Sequence, residues 1–133
     1  MYHWLYALLV LFHGLAHMVY VSFAQGWVIP ERGGDWIGSS WLLSGPLGNQ
    51  GTRSLGSIVF SVMTALFVVV AIGLALRQPW STTWLGAAAI ASSLSLLLFW
   101  DGSFIALTEK GAIGLLINIT LLIGLYFFHY PTF

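Results

Sequence analysis

The chain has 133 residues, of which 59% are hydrophobic and 6% charged, far from the roughly 25% charged residues of an ordinary soluble domain, so the composition reads as an integral membrane protein. Four Lys and Arg balance four Asp and Glu with no basic cluster, which excludes a nucleic-acid interface. The chain has no cysteine, which excludes disulfides, thiolate metal sites and cysteine nucleophiles.

The charges Glu31, Arg32, Asp35, Arg53, Arg77, Asp101, Glu109 and Lys110 fall mostly between long apolar runs. Those runs predict an all-α, four-helix transmembrane bundle in a single domain, with spans over about 2–24, 55–76, 80–100 and 104–128. Each has the roughly 20 residues that cross ~30 Å of hydrocarbon at ~1.5 Å per residue. The first run has no basic n-region, so it reads as a retained span and not a cleaved signal. Four spans place both termini and the Arg77-Gln78-Pro79 turn on one side, here side A. The long first loop and the Asp101-Gly102-Ser103 turn then lie on side B. Arg32, Arg53 and Lys110 stand on side B against Arg77 alone on side A, which orients side B to the cytoplasm of a bacterial inner membrane.

The loop over 25–53 holds Trp27, Trp36 and Trp41 beside Gly33-Gly34-Asp35, Gly45-Pro46 and Asn49-Gln50-Gly51. It is too aromatic for a free linker. A short interfacial helix from Asp35 to Leu43, capped by Asp35, is expected at headgroup depth, the alternative being an irregular loop anchored by its tryptophans. Thr52 is expected to cap the second span.

The first span carries His13 and His17 in Phe12-His13-Gly14-Leu15-Ala16-His17. Their i, i+4 spacing puts both on one helix face, and in hydrocarbon each ring nitrogen needs a partner. By depth, Ser61, Thr64, Ser92, Ser93, Ser95 and Asn118 share their layer, while Asp101, Glu109 and Lys110 lie nearer side B. Such hydroxyl-bearing and small residues are also the ordinary packing surface of membrane helices. Four uses of the pair follow. One is a metal site of His13, His17 and a third ligand from Asp101 or Glu109, both shallow for the role. Another is a single axial ligand to a haem or chlorin. A third is a quinone or proton site, with Asn118 as a further contact, and the last is a structural hydrogen bond such as His13 to Asn118. His3 and His129 both fall near side A and become neighbours if the first and fourth helices pack together. Arg53 is expected to pair with Asp101 or Glu109 across the mouth of the bundle. No His-Glu-x-x-His, Walker loop or nucleophile elbow is present.

The pieces His13-Gly14-Leu15-Ala16-His17, Ser40-Trp41-Leu42-Leu43, Thr52-Arg53-Ser54-Leu55, Phe99-Trp100-Asp101-Gly102, Glu109-Lys110-Gly111 and Leu116-Ile117-Asn118 together resemble a family of small bacterial four-span membrane proteins. That family is mostly described as hypothetical and sometimes as transporter permeases. The resemblance implies the fold and a membrane location, and it gathers Trp41, Arg53, Asp101, Glu109 and Lys110 around the side B mouth. With no complete catalytic set and no soluble domain, the function expected is a non-catalytic accessory or scaffold subunit. It would sit in the lipid bilayer against other membrane subunits, as in a respiratory or photosynthetic assembly. The rivals are a cofactor-binding or redox protein using His13 or His17, and a small proton-coupled transporter.

Overall fold

A computed structural model of the chain describes residues 2–32 and 34–133; the loop residue Gly33 named above lies outside them. The described residues form four helices: α1 (His3–Gln25), α2 (Ser44–Ala75), α3 (Trp80–Phe99) and α4 (Ala112–Tyr126). Three of them, α1, α2 and α3, are long and apolar enough to cross a membrane. The fourth has 15 residues, about 22 Å at the rise of an α-helix, short of ~30 Å of hydrocarbon.

The outward faces suit lipid. Leu5, Leu9, Phe12, Leu15 and Val19 on α1, Ile58, Val62 and Val69 on α2, and Ile90, Leu94 and Leu97 on α3 are all exposed. Their burial in hydrocarbon requires a bilayer around the bundle. Inside, the helices pack in chain order, α1 on α2, α2 on α3 and α3 on α4. Gly14 lets α1 approach α2 closely, since a Cβ there would run into the Phe67 side chain. Two apolar clusters result. One holds Val10, Phe67, Val70, Leu74, Leu85 and Leu121 toward side A. The other holds Val21, Trp36, Ile37, Phe60, Leu96 and Phe99 toward side B.

The expected helix over Asp35–Leu43 is instead a series of turns. The reason is a demand from α3, because the last carbonyls of a helix have no partner within it. The loop supplies four donors in order: Trp41 Nε1–H to Leu97 O at 2.8 Å, Ser40 Oγ–H to Leu98 O at 2.7 Å, Trp36 Nε1–H to Phe99 O at 3.0 Å, and Trp41 N–H to Trp100 O at 2.7 Å. Ile37 fits beneath α2 with no exposed surface and φ +48°, a left-handed conformation that a β-branched residue adopts only when packing compels it. Gly56 makes room for it, since a Cβ there would meet the Ile37 side chain.

The second helix begins earlier than expected, at Ser44, and bends at Gly48 (φ 69°, ψ 168°) before continuing to Ala75. Thr52 therefore lies inside the helix, and its hydroxyl donates to Gly48 O at 2.8 Å instead of capping. The fourth helix begins later, at Ala112 and not 104, because 105–111 form turns that end on Gly111 at φ 90°. Those turns carry Lys110 back to Asp101, Nζ to Oδ2 at 2.7 Å, with side chains only 3% and 14% exposed.

Arg53 pairs with Asp35, not with Asp101 or Glu109. Asp35 also accepts from Asn49 Nδ2 at 2.7 Å, and Arg53 Nη1 donates to Phe23 O at 3.2 Å. Loop, α2 and the end of α1 are thereby tied together. At side A, the Arg77 guanidinium lies 3.4 and 3.3 Å from the two His3 ring nitrogens, which ties the start of α1 to the turn after α2.

Candidate functional site: a polar layer across three helices

Between the two apolar clusters lies one polar layer. Along α1, His13 and His17 fall between Val10 and Val21; along α3, Ser92 falls between Ala88 and Leu96; along α4, Asn118 falls ahead of Leu121. All four side chains are at least 96% buried.

The four form a closed circuit. His13 Nε2 stands 2.7 Å from Asn118 Oδ1, Asn118 Nδ2 2.9 Å from Ser92 Oγ, Ser92 Oγ 2.7 Å from His17 Nε2, and His17 Nδ1 3.0 Å from His13 O. The proton positions follow from the last contact. A carbonyl only accepts, so His17 Nδ1 bears the hydrogen and, in a neutral ring, Nε2 is left as the acceptor. Ser92 then donates to His17 and accepts from the Asn118 amide, and the Asn118 carbonyl accepts from His13 Nε2–H. Turning the Asn118 amide over would set its N–H against His13 and its carbonyl against a hydroxyl already committed to His17. Only the first arrangement satisfies every bond with two neutral rings. Among the described residues neither ring forms an ion pair with a carboxylate, so nothing compensates a charge there.

This bookkeeping leaves one atom over. His13 Nδ1 holds a lone pair, is buried, and has no hydrogen-bond partner among the described residues. Around it, the His13 ring stands edge-on to Phe67 at 4.9 Å and to His17 at 5.1 Å between centroids, while His17 stacks on Phe67 at 5.4 Å. The aromatic packing fixes both ring planes.

Beside His13 runs a seam lined by residues of α1 and α4. Two cavities occupy it. One of about 240 Å³ is lined by His13, His17, Tyr20, Phe23 and Gly114, with Thr108 and Glu109 at its side B end. The other, about 310 Å³, is lined by Leu9, Phe12, His13, Ala16 and Ile117.

The expected metal set does not assemble. Asp101 is spent on Lys110 and on Ser103 N–H, and Glu109 Oε2 accepts from Arg32 N–H at 3.1 Å. Among the described residues no three of His, Asp and Glu are placed to share an ion. Axial ligation by His17 is closed as well, because both of its ring nitrogens are engaged. Of the hydroxyls in the layer, Thr64, Ser93 and Ser95 donate back to their own helices, Ser61 is exposed, and Ser92 alone joins the histidines. Depth counting placed Ser92 in the right layer, but its selection depends on the rotation of α3 about its axis. Trp36 and Ser40, the caps of α3, were expected only as parts of a loop. No protein-family model, curated protein or solved structure matches this chain, so its functional reading stands on this geometry.

Proposed function

We propose that this chain is a multi-pass, non-catalytic accessory or scaffold protein of a bacterial cytoplasmic membrane, one of the small four-span proteins it resembles. In this reading α4, lengthened by the turns over 105–111, makes the fourth crossing, and side B faces the cytoplasm. One observation supports it above the rest. His13, His17, Ser92 and Asn118 bond to one another in a circuit that staples α1 to α3 and α4, while the outer faces of α1, α2 and α3 are apolar. Such a layer holds helices in register.

Native membranes solubilised in mild detergent test this reading. Migration of the protein in a larger assembly, lost when Phe12 or Leu15 on the outer face of α1 is changed to Asn while the fold is kept, is the expected result. Migration as a lone monomer overturns it. The orientation is read separately, because a chain without cysteine accepts single thiol labels with no background. Glu31→Cys is expected to label from the cytoplasm and Thr132→Cys from the other side.

A second reading, a membrane protein that binds a small amphiphile, is favoured by a specific feature: the partnerless His13 Nδ1 beside the α1–α4 seam. Solvent extraction of the purified protein tests it. A co-purifying amphiphile supports this reading; a clean extract together with failure to bind added amphiphile overturns it.

A further inference from the structure

We infer that the α1–α4 seam takes an aromatic amphiphile of the quinol or phenol class, whose hydroxyl donates its hydrogen to His13 Nδ1. This inference rests on the second reading above and names the chemistry of its ligand.

The sign of the hydrogen bond comes from the circuit. His13 Nε2 carries the ring hydrogen into Asn118, so Nδ1 offers only a lone pair. A guest must bring the hydrogen. An oxidised quinone, which has carbonyls alone, would set lone pair against lone pair, whereas a quinol or phenol hydroxyl satisfies a buried acceptor that otherwise has no partner.

The shape of the seam agrees with such a guest. Both cavities share His13, Ala16 and Ile117, so they lie end to end with His13 at the junction. The upper one offers the Tyr20 and Phe23 rings to a flat head and has polar residues at its side B end. The lower one adds Leu9 and Phe12, a path for an apolar tail. Gly114 keeps the approach open: a Cβ there would stand 3.9 Å from His13 Cε1, the ring carbon between the two nitrogens, and 3.0 Å from the Tyr20 hydroxyl. Nδ1 is covered where it stands, so a guest reaches it by local movement of the side chains that line the cavities, with the His13–Asn118 bond kept.

The test measures equilibrium binding to the purified full chain in nanodiscs, under anaerobic conditions. The probes are a decyl-chain benzoquinol, the oxidised decyl benzoquinone and the quinol's O-methylated diether. Quinol binding about ten-fold or more tighter than either of the others is expected, the size of one unmade hydrogen bond to a buried group. Ala16→Phe, which fills the junction of the cavities without touching the circuit, is expected to abolish binding with the unfolding midpoint kept. Gly114→Ala is expected to weaken it. Equal binding of all three probes, lost in Ala16→Phe, overturns the hydroxyl assignment and leaves a seam ligand standing. Quinol binding untouched by Ala16→Phe places the site elsewhere and overturns the inference. Failure of every probe to bind overturns it too, and with a clean solvent extract it also ends the second reading.

Discussion

Asn118 on α4 gives an amide hydrogen to Ser92 on α3, Nδ2 to Oγ at 2.9 Å, and through that contact the two ends of the histidine circuit close. Each residue is both donor and acceptor there, so neither can be removed without leaving two neighbours unsatisfied. Ser92→Ala and Asn118→Leu are each expected to lower stability by about 1–3 kcal/mol. Because both break the same circuit, the double variant is expected to cost less than the sum by about 0.5 kcal/mol or more. Unfolding by SDS in mixed micelles measures all three; strict additivity would show that the four bonds act independently.

Gly14 and Gly45 separate a glycine needed for packing from one that is not. A methyl on Gly14 meets Phe67, whereas one on Gly45 has nothing within 4 Å. Gly14→Ala is expected to destabilise by about 1–3 kcal/mol, because the helix contact must part. Gly45→Ala, gaining helix propensity at an exposed site, is expected to be neutral or to stabilise by up to about 1 kcal/mol. The same unfolding measurement tests the contrast, and equal effects would refute it.

Trp36 and Trp41 donate to neighbouring carbonyls of α3, but Trp36 is 1% exposed and Trp41 61%. Trp36→Phe is expected to cost about 1–3 kcal/mol by orphaning a buried carbonyl, and Trp36→Ala about 3–5 kcal/mol by adding a cavity. Trp41→Phe is expected to cost about 0.5 kcal/mol or less, since water and headgroups reach that site. Amide exchange in the last turn of α3 is expected to quicken in the Trp36 variants alone.

Lys110 and Asp101 are a nearly covered ion pair, and such pairs are felt when one partner is lost more than when both are. Lys110→Met and Asp101→Asn are each expected to destabilise by about 3 kcal/mol or more. The double variant is expected to recover at least about 1 kcal/mol relative to Lys110→Met. A double variant as unstable as the sum would show that the charges, and not their mutual compensation, matter here.

The spans were legible where length and hydropathy decide them. α1 and α3 match the expected boundaries to within a residue, because nothing polar competes with lipid along them. Where the backbone leaves a helix so that a group can reach a distant partner, the sequence was silent. Glu109 and Lys110 sit in an apolar run that reads as helix, yet Lys110 must turn back to reach Asp101. Asp35 to Leu43 has helical spacing, yet its donors are claimed by α3. The contact of His13 with Asn118 was readable from depth alone, since both lie near the midplane and each needs a partner in hydrocarbon. The choice of Asp35 by Arg53 was not, because Glu31, Asp35, Asp101 and Glu109 all fall toward side B and only the loop's path decides among them.

The loop that finishes α3 is also made before it. Synthesis runs from the N-terminus, so Trp36, Ser40 and Trp41 emerge well ahead of the carbonyls of residues 97–100 that they serve. Until α3 arrives, these donors lack the α3 carbonyls they serve, and Ile37 packs against α2 without the Phe99 side of its cluster. The side B surface is therefore completed late, from the third helix back to the first loop. An insertion intermediate with only α1 and α2 in the bilayer would hold this segment through Asp35 to Arg53 and Asn49, and the ordering of Trp36 and Trp41 would mark the arrival of α3.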